Sequence, residues 1–150
     1  MNSRTFKIPL TMAAAGLTGC GGFDFEGSWQ VSSGLLTADY ADGTTYTYAV
    51  DFPQTYEGDT ISLSLEVDES FVNLVQLYEY DDGTTYTYTE GPYPWLETEK
   101  KRFEITGDFD WDTFVCDADP DDDDKLGCLL SSVDGGDSTS FSLKLDRIIP

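Results

Sequence analysis

Apolar and polar residues alternate along much of this chain, with the two-residue period of a β-strand that buries one face. The alternation is strictest at 61–67 and at 141–145, where Ile, Leu, Val or Phe occupies every second position. Less regular runs predict further strands at 28–36, 44–52, 71–80, 84–90, 101–106 and 110–115. After residue 20 no segment has the period of an amphipathic helix. The pattern predicts an all-β domain of about eight antiparallel strands.

Turn-forming dipeptides separate several of the predicted strands. Asp42-Gly43, Asp82-Gly83 and Gly135-Gly136 lie between apolar or aromatic runs, and such pairs favour the tight loops of β-hairpins. The first two begin a repeated heptapeptide, Asp-Gly-Thr-Thr-Tyr-Thr-Tyr, at 42–48 and at 82–88. Two copies are too few for a solenoid or propeller. The repeat therefore predicts two similar hairpins.

Each copy of the heptapeptide places two tyrosines on one face of its strand. They are Tyr46 and Tyr48 in the first copy and Tyr86 and Tyr88 in the second, because residues two apart along a strand share a face. These rings either pack in the core or line a pocket for an apolar or sugar ligand. The sequence leaves both interpretations open.

The first 20 residues have the features of an export signal. Arg4 and Lys7 precede an uncharged stretch, 8–19, which is shorter than the roughly 20 residues of a membrane-spanning helix. The segment ends in Leu-Thr-Gly followed by Cys20, which resembles the lipobox of bacterial lipoproteins. The resemblance implies a cleaved signal peptide at 1–19 and a lipid-modified Cys20. An ordinary secretory signal is the alternative.

The same resemblance implies how the mature protein is organised and where it resides. Cys20 would carry fatty acyl chains such as palmitate, residues 20–27 would form a short tether, and 28–150 would form a single all-β domain. Gly21 occupies the position where an inner-membrane retention signal typically has Asp. We therefore expect a lipid anchor in the cell envelope, at the outer membrane if the cell is Gram-negative.

Gly27-Ser28-Trp29 begins the domain and resembles the Gly-x-Trp motif of lipocalins. In that family the Trp closes one end of an eight-stranded up-and-down barrel, and an Arg from the last strand packs on it. Arg147 occupies a suitable position. The resemblance implies a lipocalin-like barrel closed by Gly27, Trp29 and Arg147, with a β-sandwich as the alternative. Trp95 follows two prolines, which predicts a loop over the barrel mouth or an exposed turn.

The composition excludes several classes of function. The chain has 29 Asp and Glu against 8 Lys and Arg, a net charge of −21 and no histidine. So negative a protein repels nucleic acids and anionic headgroups. Without imidazole it also lacks catalytic triads and the common zinc sites. We expect a protein that is not an enzyme and that contacts the membrane only through its lipid.

Cys116 and Cys128 are the cysteines left once Cys20 is lipidated. Because they lie outside the cytoplasm in this interpretation, we expect them to form a disulfide. The segment between them is rich in aspartate. It predicts either a modest Ca²⁺ site, with alternating ligands, or a solvated acidic loop that binds nothing. The candidate ligands are Asp117, Asp119, Asp121 and Asp123.

Two hypotheses of function follow from these features. In the first, a lipid-anchored, non-catalytic β-domain binds a small apolar molecule inside a barrel, with Tyr46, Tyr48, Tyr86 and Tyr88 as possible pocket residues. In the second, the domain is a structural or interaction module of the envelope, whose acidic surface binds divalent cations or a basic protein partner.

Overall fold

The computed structural model describes residues 23–107 and 110–149, and the backbone of these residues forms ten β-strands and no helix. Among them there is thus no helix long and apolar enough to cross a lipid bilayer. The strands are β1 (Gly27–Asp39), β2 (Thr45–Asp51), β3 (Gln54–Tyr56), β4 (Asp59–Val67), β5 (Phe71–Glu79), β6 (Thr85–Glu99), β7 (Arg102–Ile105), β8 (Thr113–Ala118), β9 (Lys125–Asp134) and β10 (Asp137–Arg147).

Eight of these strands close into an antiparallel barrel. The hydrogen-bonded order is β1, β10, β9, β8, β7, β6, β5 and β4, and the first part of β1 pairs with β4 to complete the circle. Neighbours in the barrel are mostly neighbours in the sequence, which is an up-and-down arrangement. The predicted all-β, lipocalin-like barrel is therefore confirmed, and the β-sandwich alternative is wrong.

The two remaining strands distinguish the ends of the barrel. At the closed end, residues 27–30 of β1 pair with residues 64–67 of β4. Towards the other end β1 pairs with β2 and β4 pairs with β3, and β2 and β3 form the two edges of the hydrogen-bonded order. We call this the open end. It carries the turns at 40–44, 57–58, 80–84 and 135–136.

The core fills the interior of the barrel at the closed end. Its largest fully buried side chains are Trp29, Phe25, Phe103, Leu65 and Leu145. The ring of Phe25 lies 4.7 Å from that of Phe103, centroid to centroid, in an edge-on orientation. Burying a side chain of this size contributes roughly 1.5–3 kcal/mol. This end therefore supplies most of the stability of the fold.

Two long stretches of strand differ from the prediction. β9 was not predicted, because leucines occur on both of its faces and blur the two-residue period. The second half of β6 contains Pro92 and Pro94, which indicate a loop, yet it forms a strand to Glu99. Trp95 therefore lies in a strand, where its Nε1 donates a hydrogen bond to the carbonyl of Asp68 at 2.8 Å. The predicted loop or exposed turn at Trp95 is wrong.

Candidate functional site

At the closed end, Gly27, Trp29 and Arg147 come together. The Arg147 guanidinium lies 4.2 Å from the centroid of the Trp29 ring, and Trp29 is fully buried. Gly27 has a φ of +130°, and a Cβ there would lie 3.4 Å from the Arg147 side chain. The contact closes the barrel by covering its largest aromatic ring with a cation.

Residues 23–26, part of the segment interpreted as a tether, pack onto this end. Phe25 is 1% exposed, and its carbonyl accepts a hydrogen bond from Trp29 Nε1 at 2.8 Å. Arg147 donates to the carbonyls of Glu26 and Asp24, each at 2.9 Å. The folded domain thus includes the chain from Phe23 onward. Cys20 lies outside the described residues.

Cys116 and Cys128 form a disulfide, as predicted. They are directly opposite each other on β8 and β9 and both side chains are buried. The disulfide therefore joins two strands of the barrel wall inside the core, and the acidic residues 119–124 form the turn between those strands.

The four aspartates proposed as calcium ligands do not converge. Asp117 lies on the outer face of β8, where both of its oxygens accept hydrogen bonds from Arg102, at 2.7 and 3.1 Å. Asp119 accepts from the backbone N–H of Asp121, and Asp123 is 3.5 Å from the Lys101 ammonium. Within the described ranges, no three His, Cys, Asp or Glu side chains stand close enough together to hold a metal ion. The calcium hypothesis has no support from this geometry.

Tyr46, Tyr48, Tyr86 and Tyr88 lie at the open end and share the face that points into the barrel. Tyr48 pairs with Leu36 on β1. The register of β1 and β10 places Leu36 on the same face of the sheet as the buried Leu143. The four residues are nevertheless 69, 61, 55 and 45% exposed, in sequence order. They therefore extend the inner surface of the barrel into a region where the core does not reach.

Each pair of tyrosines follows the same hairpin turn, as the repeat predicted. In the first turn, Asp42 Oδ1 accepts hydrogen bonds from the hydroxyl of Thr44 at 2.6 Å and from its backbone N–H at 2.9 Å. Asp82 and Thr84 make the same two bonds at the same distances. In both turns the threonine hydroxyl is the main cause that lowers the pKa of the aspartate. The repeat thus specifies the same hydrogen-bonded turn before each pair of rings.

The wall of the barrel divides into two leaves at this end. β7 ends opposite Trp95 and β8 begins opposite Ser131, so neither strand continues to the open end. One leaf contains β9, β10, β1 and β2, and the other contains β3 to β6. Tyr46 and Tyr48 belong to the first leaf, and Tyr86 and Tyr88 belong to the second.

Two further inner-face residues of the second leaf were not predicted. Tyr78 pairs with Tyr86, with ring centroids 6.1 Å apart, and donates a hydrogen bond from its hydroxyl to Gln76 at 2.9 Å. Gln76 in turn pairs with Tyr88. Both residues could have been identified from the two-residue alternation along 71–79, which places their side chains on the same face. The four repeat tyrosines together with Tyr78 and Gln76 are called the tyrosine mouth below.

No protein-family model matches the sequence, and no curated protein resembles it at a significant level.

Proposed function

We propose that this protein is an exported, lipid-anchored, non-catalytic barrel that binds a small uncharged apolar or aromatic ligand in the tyrosine mouth. The observation that carries the proposal is the exposure of tyrosines on an inward face, beyond a closed end that is already filled. An inner surface of a barrel is expected to be covered by packing or by a ligand. Tyrosine suits the second role, since its ring offers apolar area and its hydroxyl a polar contact.

The charges around the mouth restrict the class of ligand. The four turns of the open end contain Asp or Glu at several positions and neither Lys nor Arg. The threonine partners of Asp42 and Asp82 lower the pKa of both carboxyls, which favours their charged forms. An anionic ligand would be repelled on approach. The mouth therefore favours uncharged molecules over anions of the same shape.

The position of the proposed anchor determines how the mouth is oriented. Phe23 packs at the closed end, 4.6 Å from the ring of Phe25, and Gly21 and Gly22 separate it from Cys20. The three Cα–Cα steps from Cys20 to Phe23 span at most about 11 Å. A lipid on Cys20 would hold the closed end against the membrane, and the tyrosine mouth would face away from it.

The ligand hypothesis can be tested with two fluorescent probes of similar shape and different charge. N-phenyl-1-naphthylamine is uncharged, whereas 1-anilinonaphthalene-8-sulfonate is an anion. We expect the uncharged probe to bind more tightly, and the combined Tyr46→Ala, Tyr48→Ala, Tyr86→Ala and Tyr88→Ala variant to lose about tenfold or more in affinity. Replacing the same four residues by Phe keeps the rings and should retain binding.

A matched control removes exposed apolar surface from the outside of the barrel. Val133 is 67% exposed on the outer face of β9, so Val133→Ala should leave the affinity for the probe unchanged. If the fourfold Ala variant binds the uncharged probe as tightly as the native protein does, the tyrosine mouth is not the ligand site.

Lipid anchoring is tested separately at the thiol of Cys20. Cys20→Ser should yield an unlipidated protein that no longer sediments with membranes after a high-salt wash. Cys116→Ser serves as a control, because its sulfur is buried in a disulfide and has no part in the anchor. A Cys20→Ser protein that remains in the washed membrane fraction would remove the anchoring half of the proposal and leave ligand binding untouched.

The net charge of −21 favours a second candidate, an interaction module for a basic protein partner. Such a complex would weaken steeply as ionic strength rises. A partner captured at low salt and retained unchanged in 0.5 M NaCl would argue against this candidate.

A further inference from the structure

A carboxylate lies on the inner face of the barrel between the tyrosine mouth and the core. Glu90 is on β6, two residues beyond Tyr88, and it pairs with Leu74 on β5. Leu74 packs against the core, and residues two apart along a strand share a face. Glu90 is partly buried, whereas Tyr86 and Tyr88 are 55 and 45% exposed. The inner surface therefore changes from aromatic rings to an acid before it reaches the core.

The folded chain provides this carboxylate with no partner. Within residues 23–107 and 110–149, no Lys or Arg forms an ion pair with Glu90 and no donor makes a hydrogen bond to it. Glu66 on β4 differs, since it accepts a hydrogen bond from the hydroxyl of Ser28 at 2.6 Å. Withdrawing a carboxylate from water without a partner costs free energy. Glu90 is therefore an acceptor that remains available to a ligand.

The wall of the barrel is incomplete beside Glu90. β7 pairs with β6 from Trp95 onward, so the part of β6 at 85–90 has β5 on one side and, among the described strands, none on the other. This position is the edge of the second leaf, at the gap between the two leaves. A ligand that enters the gap can reach the carboxylate while its apolar body lies against the rings.

The surroundings of Glu90 suit a positively charged group. Residues 54–99, which include all four strands of the second leaf, contain no Lys or Arg. Tyr88 is the next inner-face residue along β6, with its Cα about 7 Å from that of Glu90, and the face of a tyrosine ring attracts cations. Tyr78 and Tyr86, with centroids 6.1 Å apart, continue this surface towards the rim. The leaf thus offers a cation both a carboxylate and ring faces.

We propose that Glu90 makes the tyrosine mouth a site for organic cations, in which the ammonium group of an aromatic amine binds Glu90 and its ring packs on Tyr86 and Tyr88. The inference rests on the proposed function and extends its ligand class, because the mouth would bind the cation more tightly than an uncharged molecule of the same shape. An ammonium adds charge attraction to the hydrogen bond that a hydroxyl would also make at Glu90.

The test compares 1-naphthylmethylammonium with 1-naphthylmethanol, its uncharged counterpart of the same shape, by calorimetric titration of the exported Cys20→Ser protein at 150 mM salt. The ammonium should bind about tenfold more tightly. Glu90→Gln keeps the shape of the side chain and removes its charge, so the two affinities should become equal. Glu79→Gln makes the same change in net charge on the outer face of β5, between Thr60 and Thr85, and should preserve the preference.

A second measurement needs no ligand. Because Glu90 has no partner among the described residues, Glu90→Gln should melt at the temperature of the native protein or above it. A clear fall in the melting temperature would show that the protein itself satisfies the carboxylate, and the proposal would be wrong.

The titrations also contain results that would overturn the proposal. Equal affinities of the native protein for the two ligands would show that Glu90 does not select a cation. Equal losses of ammonium affinity in Glu90→Gln and Glu79→Gln would assign the preference to the net charge of the whole molecule. The fourfold Tyr→Ala variant should weaken the binding of both ligands. If it weakens neither, the proposed function fails and this inference fails with it. If it weakens both while Glu90→Gln retains the preference, this inference alone fails.

Discussion

The closed and open ends of the barrel continue the same inner face but use aromatic residues in opposite ways. Trp29, Phe25 and Phe103 are at most 1% exposed at the closed end. Tyr46 at the open end is 69% exposed, although it follows the same alternation along the sheet. The difference arises because β1 pairs with β4 only at the closed end, so the wall narrows there around a packed core. One end stabilises the fold, and the other presents an aromatic surface.

The closed and open ends also differ in how their charged residues are arranged. The closed end holds carboxylates and cations together, as in the pairs Lys101–Asp123 and Arg147–Asp124. The turns of the open end carry carboxylates without a Lys or Arg. The turns of the open end therefore lack the cations that offset carboxylate repulsion at the closed end. The open end is thus acidic and unfilled, whereas the closed end is packed and holds these ion pairs.

The largest effect is expected from truncating the core of the closed end. Trp29→Ala should lower the free energy of unfolding by about 3–5 kcal/mol, because it leaves a cavity among fully buried neighbours. Tyr46→Ala and Tyr86→Ala should each change it by less than about 0.5 kcal/mol. Urea denaturation measures both. Similar losses at the two ends would show that the tyrosines belong to the core.

Removing the disulfide should have the next largest effect. The Cys116→Ala/Cys128→Ala double variant should lose about 3 kcal/mol, because the cross-link spans 12 residues and restricts the unfolded chain. The native protein in reductant should unfold at the same urea concentration as the double variant. A loss confined to the 119–124 turn, with the barrel unaffected, would contradict the position of the disulfide within the wall.

The sequence predicted those strands and turns that depend only on a local residue pattern. The strict alternation at 61–67 and the Asp-Gly turns of the repeat both correspond to observed elements. The resemblance to lipocalins led to the contact between Arg147 and Trp29, which are far apart in the chain. In β9 the rule failed, since Leu129 faces outward while Leu126 and Leu130 face the core.

The candidate sites were predictable only in part. The tyrosines were identified, but the sequence could not decide between core and pocket, because that depends on where β7 and β8 end. A groove on the outer face of the barrel could not be predicted at all. Its lining residues, Leu35, Gly127 and Leu129 among them, come from six strands and meet only through the register of the sheet. The aspartate spacing suggested calcium, yet Asp117 turned out to pair with Arg102.

A smaller effect is expected from the contact that covers Trp29. Arg147→Met should lower the free energy of unfolding by about 2 kcal/mol, because the carbonyls of Asp24 and Glu26 lose a charged donor. Residues 23–26 should then exchange their amide hydrogens faster. Lys100→Met, at an exposed turn of the same end, should change neither quantity. An unchanged exchange rate in Arg147→Met would mean that Phe25 alone holds this segment.

The smallest effect concerns the two hairpin turns and depends on pH. The hydroxyls of Thr44 and Thr84 lower the pKa of Asp42 and Asp82 below the ordinary value of 3.8. A carboxylate with a lowered pKa in the folded state stabilises the protein above its ordinary pKa, and this contribution is lost as pH falls through the lowered value. Thr44→Val and Thr84→Val should therefore lower the melting temperature slightly at pH 6. In strong acid the variants and the native protein should melt at the same temperature.

These substitutions do not change the net charge at pH 6, so altered charge repulsion cannot cause the difference in melting temperature. Thr87→Val, on the outer face beside the second pair of tyrosines, should show no such convergence. If it behaves like Thr84→Val, the effect belongs to strand propensity rather than to the turn.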